Sequence, residues 1–121
     1  MLKDRNLAIT MNLHPHDGVR YFEKQYAEMC EANGQNPATK KPVRFNLTNP
    51  TFRDSYFDIL HHPYEEAGVD FWWMDWQQWL TSKYVKDLSI TFWLNHTMAH
   101  HMSERDGKRP FIYHRWGGLG S

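Results

Sequence analysis

The chain has 121 residues, enough for one ordinary domain. Its 14 basic and 14 acidic side chains cancel, which argues against a broad nucleic-acid or anionic-membrane surface, and no apolar stretch approaches the ~18 residues of a membrane span. One cysteine, Cys30, excludes an internal disulfide framework and a zinc site built mainly of thiolates, while an aromatic content of 16% argues against disorder.

The elements follow in chain order. The first five residues lack the apolar core of a secretory signal, and the compartment stays open. Residues 7–13, Leu-Ala-Ile-Thr-Met-Asn-Leu, form a short, partly β-branched run closed by His14-Pro15, which predicts a buried strand. After a turn at His16-Asp17-Gly18, the apolar residues Val19, Phe22, Tyr26, Met29 and Cys30 recur at helical spacing. Asp17 is the expected N-cap of that helix and Gly34 its stop. A polar loop leads to Thr48-Asn49-Pro50, a capping side chain followed by Pro in the first turn. A helix carrying Phe52, Tyr56, Ile59 and Leu60 is expected there, running to His61-His62-Pro63, with a short second piece over residues 64–67.

Residues 69–75, Val-Asp-Phe-Trp-Trp-Met-Asp, predict a second strand that ends in a carboxylate. A helix is expected over residues 88–103, with Trp93, Leu94, Thr97, Met98 and His101 on one side. A turn at Asp106-Gly107-Lys108 leads to a third strand over residues 109–115, followed by a Gly-rich segment. Strand, helices, strand, helix, strand is the alternation of an α/β fold with parallel strands and helical crossovers. Three strands do not close a barrel, and a full eight-stranded one needs about 250 residues. The expected fold is therefore a slice of a βα architecture.

Asp75 is the strongest candidate for chemistry. It sits at the C-terminal end of an expected parallel strand, where α/β barrels place catalytic groups. Trp72, Trp73, Trp76, Gln77 and Gln78 surround it in sequence, and aromatic faces with amides suit a sugar. A carboxylate so placed can attack an anomeric carbon; it can also simply cap the next segment. Arg115 ends the third run and can fork onto sugar hydroxyls or form an ion pair. His14 ends the first run and can line the same pocket or serve as hydrogen-bonded scaffold. His96 and His100 stand four apart on one expected helix, but the glutamate of the zinc-protease helix is missing, and no metal or cofactor is expected. The two Asn-X-Thr sequons at Asn46 and Asn95 carry little weight without a signal segment, and Cys30 reads as a small buried hydrophobe.

The stretch Gly68-Val69-Asp70-Phe71-Trp72-Trp73-Met74-Asp75-Trp76-Gln77-Gln78 resembles the nucleophile strand of glycoside hydrolase family 31, the α-glucosidase and α-xylosidase family. Asn12-Leu13-His14-Pro15-His16-Asp17-Gly18 resembles the preceding strand end. Trp93-Leu94-Asn95-His96 and Arg109-Pro110-Phe111-Ile112-Tyr113-His114-Arg115-Trp116-Gly117-Gly118-Leu119-Gly120-Ser121 resemble the following helix and strand, in the family's order. The resemblance spans nearly the whole chain. It implies a partial (β/α)8 TIM barrel, with residues 1–121 covering roughly strands three to five, and a retaining α-glycosidase acting on an α-glucoside or α-xyloside.

On that resemblance Asp75 is the nucleophile, Trp73 and Trp76 line the sugar pocket, and Arg115, His14 and Trp116 contact substrate. The family's acid/base aspartate follows the Gly-rich stretch, beyond Ser121, so the chain alone is expected to be inactive. Its expected partners are a carbohydrate substrate and the remaining barrel and flanking domains, with no nucleic acid and no membrane. Trp79 stands where relatives usually carry Gly, and His114 where Ser is more usual; both bear on substrate preference. The alternative is a non-catalytic carbohydrate-binding module or an inactive remnant, in which Asp75 only hydrogen-bonds to sugar.

Overall fold

The computed structural model describes residues 3–75, 81–107 and 109–114. The chain divides into two compact units, Met1–Pro15 with Gly68–Ser121, and His16–Ala67.

The first unit holds a three-stranded sheet: β1 (Thr10–Leu13), β2 (Phe71–Met74) and β3 (Ile112–His114), in the order β1-β2-β3. Both pairings are parallel, as the alternation of elements predicts. The register sets Leu13 beside Met74, and Met74 beside His114. Each strand occupies the C-terminal part of its apolar run.

The entrance to β2 is fixed by Asp70. The Asp70 N–H donates to the Ile9 carbonyl at 2.8 Å, and the Ile9 N–H donates to Asp70 Oδ2 at 2.8 Å. The helix α4 (Ile90–Asp106) lies against β3. Ser89 caps its start, accepting from the Phe92 N–H, and Gly107 ends it in the left-handed conformation at φ 59°. From the last turn of α4, the Arg105 guanidinium donates to the carbonyl oxygens of Val69 and Asp70. The helix runs three residues beyond the Ser103 end expected from spacing. Leu94, Thr97, Met98 and Met102 are its buried residues.

One expectation fails at β1. Its composition predicts a buried strand, yet its side chains are largely exposed, Met11 at 40%. The order of strands explains this: β1 is an edge of the described sheet and has only β2 for a neighbour. Trp72 and Met74 of the central strand are fully buried.

The second unit is helical. It holds α1 (Tyr26–Ala32), α2 (Pro50–Ser55) and α3 (His62–Glu66). Asn49 caps α2, its Oδ1 accepting from the Thr51 and Phe52 N–H groups, with Pro50 in the first turn as predicted. A π-helical turn, Tyr56–His61, joins α2 to α3, and the His62 N–H reaches back five residues to the Phe57 carbonyl. Pro63 accounts for it, having no N–H to donate and a ring that clashes with the carbonyl four residues earlier.

The first helix starts later than expected. Asp17 caps nothing there; it pairs with Arg20 at 3.2 Å. Gly18 turns the chain at φ 65°, and Val19 pairs with Val43 through two 2.9 Å backbone hydrogen bonds. That long-range pairing takes up the residues a helix would have used, and α1 begins only at Tyr26. Gly34, at φ 67°, stops it as predicted. Tyr26, Met29 and Cys30 are buried, but Phe22 is 66% exposed and leaves the expected apolar face. The core of this unit is an aromatic cluster in which Tyr56 packs on Phe45, Phe52, Phe57 and His61.

Candidate active site

Parallel in-register pairing decides what meets at the C-terminal ends of the strands. Leu13 and Met74 are partners, so the residues that follow them, His14 and Asp75, fall side by side. The Asp75 N–H donates to the Leu13 carbonyl at 2.8 Å, which continues the ladder one step past the strands. His14 Nε2 stands 3.8 Å from Asp75 Oδ2. Asp75 is 6% exposed, whereas the His14 side chain is 46% exposed. A buried carboxylate is costly unless polar groups hold it. Here a ladder hydrogen bond fixes its backbone, and an imidazole that becomes cationic on protonation stands beside its side chain.

Alternation along β2 sorts its residues into two faces. Trp72 and Met74 fill the buried one. Phe71 and Trp73 lie on the other, the face that alternation would continue to Asp75. Cross-strand neighbours extend that face: Trp73 is in register with Asn12 on one side and Tyr113 on the other. The Trp73 and Tyr113 rings are 5.6 Å apart, and Phe71 meets Phe111 edge-on at 5.1 Å. Phe111 and Tyr113 are more than half exposed. The Trp73 indole N–H is shielded from solvent and has no acceptor among the described residues. The result is an aromatic platform leading up to a buried carboxylate.

Of the six site residues expected from sequence, Asp75 and His14 are brought together, and Trp73 lies on β2, two residues before Asp75. Trp76, Arg115 and Trp116 lie outside the described residues, as do Gln77, Gln78 and Trp79. Spacing along the chain does not single out Tyr113 and Asn12. Their signal emerges only when the three runs are aligned at their C-terminal ends, which places both beside Trp73.

The two histidines of the metal alternative have other contacts. His96 stacks on the Trp93 ring at 5.8 Å, and His100 Nε2 meets Glu104 at 3.2 Å.

No protein-family model matches the chain, and no curated protein matches it. No helix among the described residues is long and apolar enough to cross a membrane.

Proposed function

We propose that the chain is part of a retaining α-glycosidase of the glycoside hydrolase family 31 type, with Asp75 as the nucleophile. The observation that carries this reading is the position of Asp75: a buried carboxylate one residue past the central strand of a parallel sheet, beside the end of the neighbouring strand. That is where α/β barrels carry their chemistry. The aromatic platform supports a sugar as substrate, because ring faces pack on pyranose C–H groups.

The partly exposed aromatic face supports the barrel. Parallel sheets occur with both faces covered, and in a closed (β/α)8 barrel this face would look inward. On this reading further strands complete the sheet, and one of them supplies the acid/base.

In the proposed reaction Asp75 attacks the anomeric carbon as the glycosidic C–O bond breaks. The acid/base protonates the departing oxygen, and a glycosyl ester forms on Asp75. Water, deprotonated by the same acid/base, then displaces Asp75 and releases the sugar with its original anomeric configuration. Trp73 would seat the sugar ring, and His14 would fix the carboxylate. On the family resemblance Arg115, Trp76 and Trp116 would contact the substrate.

Replacing Asp75 with Asn keeps the shape and removes the nucleophilic charge. In the intact barrel protein, Asp75→Asn is expected to abolish hydrolysis of an aryl α-glucoside or α-xyloside while leaving the melting temperature and circular dichroism unchanged. Retention of more than a small fraction of activity would remove Asp75 from this role. Unchanged sugar binding without turnover in either form would favour a carbohydrate-binding module.

A further inference from the structure

A cleft of about 440 Å³ opens within the unit His16–Ala67, and the proposed glycosidase chemistry makes no use of it. Such a volume is in the range that takes a small ligand. Two segments some twenty residues apart form its walls: His16, Asp17, Arg20, Tyr21 and Phe22 from one, Lys40 and Pro42 from the other.

The walls are locked together. The paired hydrogen bonds between Val19 and Val43 join the two segments, and Gly18 approaches so closely that a Cβ there would sit 2.2 Å from the Val43 carbonyl oxygen. Both the Tyr26 hydroxyl and the Gln35 amide donate to the Lys41 carbonyl, at 2.6 and 2.7 Å. A cleft held this way loses little freedom in ordering itself around a ligand.

Its chemistry is lopsided. Arg20 and Lys40 outnumber the one carboxylate, Asp17, and His16 adds charge when protonated. Asp17 engages Arg20 at 3.2 Å, so one cation is balanced and Lys40 remains in excess. Lys40 caps the short 3-10 turn Pro37–Thr39 in the left-handed conformation, at φ 55°, which is uncommon for a residue with a side chain. Its Nζ lies 5.7 Å from the centre of the Tyr21 ring. Tyr21 meets Phe22 edge-on at 5.5 Å, and both rings are more than half exposed. Two exposed aromatic rings beside an excess ammonium form a poor surface to leave in water and a good one for a ring that carries an anion.

We propose that this cleft binds a small ring-bearing anion, a phosphate attached to an aromatic or sugar ring, with Lys40 on the anionic group and Tyr21 and Phe22 against the ring.

The test is binding to the intact protein, followed by calorimetry and ligand-detected NMR, with three probes: phenyl phosphate, glucose 1-phosphate and inorganic phosphate. Lys40→Asn removes the charge and keeps a residue that tolerates the left-handed backbone; Tyr21→Ala removes the ring. Both positions are exposed, so both variants should fold, and circular dichroism checks this. At least one ring-bearing phosphate is expected to bind about fivefold or more tighter than inorganic phosphate, the value of one aromatic contact. Lys40→Asn is expected to weaken it about tenfold, as loss of a charge-assisted contact should. Tyr21→Ala should erase the preference over inorganic phosphate. The stronger of the two ring-bearing probes identifies the ring. Equal binding of all three probes, no binding at about 10 mM, a concentration that detects even affinities weaker than ~1 mM, or affinities untouched by both substitutions would overturn the proposal. The readout is binding alone, so failure of the glycosidase reading would leave it standing.

Discussion

His14 Nε2 lies 3.8 Å from Asp75 Oδ2, the two side chains standing one residue past the ends of adjacent parallel strands. Their proximity follows from register, since Leu13 pairs with Met74 and the Asp75 N–H extends the ladder to the Leu13 carbonyl. The distance is too long for a hydrogen bond and short enough for an ion-pair contact when the imidazole is protonated. In the glycosidase reading His14 positions the nucleophile. His14→Ala should then lower kcat/KM by about ten- to a hundredfold, the usual consequence of a loosened catalytic group. His14→Gln should recover part of the loss. Because His14 is half exposed, the melting temperature should change little. Steady-state kinetics beside thermal melts check this, and wild-type kcat/KM in His14→Ala would assign the residue to scaffold alone.

Of the two glycines at positive φ in the unit His16–Ala67, Gly18 alone has no room for a side chain. At φ 65° it adopts a backbone that a side chain rarely allows, and a Cβ would meet the Val43 carbonyl oxygen at 2.2 Å. Relief would require breaking the two hydrogen bonds between Val19 and Val43. Gly18→Ala is therefore expected to destabilise this unit by at least about 2 kcal/mol, as substitutions at incompatible backbone positions do. Urea unfolding measures it, and a loss below about 0.5 kcal/mol, the size of an ordinary surface change, would contradict the geometry.

Tyr56 sets an alkaline limit on stability. Burial holds its phenol well above the ordinary value of 10.0, because the phenolate cannot be solvated there. The folded state therefore keeps a proton that the unfolded chain releases. The stability linked to this group is complete below pH 10.0 and falls above it, by up to about 1.4 kcal/mol per pH unit until the folded phenol itself ionises. The hydroxyl has no partner among the described residues, so its removal should cost nothing. Tyr56→Phe should match or exceed the wild type near neutrality by up to about 1 kcal/mol, and should lose less stability above pH 10.0. Urea titrations across that range decide it; parallel alkaline losses in the two proteins would exclude Tyr56 as the cause.

Much of the fold can be read along the chain because its signals are local. Asn49-Pro50 marks a helix start, Gly34 marks a helix end, Gly107 marks the turn before the third strand, and the three apolar runs locate the strands. What escapes local reading depends on distant partners. The start of α1 moves to Tyr26 because Val19 pairs with Val43. The π-helical turn arises because Pro63 withholds a donor from a helix whose apolar spacing runs on through it. Composition overstates the burial of β1 because it does not reveal which strand lies at an edge of the described sheet. For the candidate site, Asp75 and His14 are legible as strand ends, but their contact is a product of register. Tyr113 joins Trp73 only across the sheet, and Lys40 joins Tyr21 only through the Val19–Val43 bridge.

The central claim is that Asp75 forms a covalent bond to sugar. The direct measurement is to treat the intact protein with an activated 5-fluoro-α-glycosyl fluoride, whose glycosyl-enzyme ester hydrolyses slowly, and to locate the label by peptide mass spectrometry. The account predicts a single glycosyl ester on Asp75, absent in Asp75→Asn. An ester on another carboxylate, or hydrolysis that proceeds with inversion and no trapped ester, would contradict it.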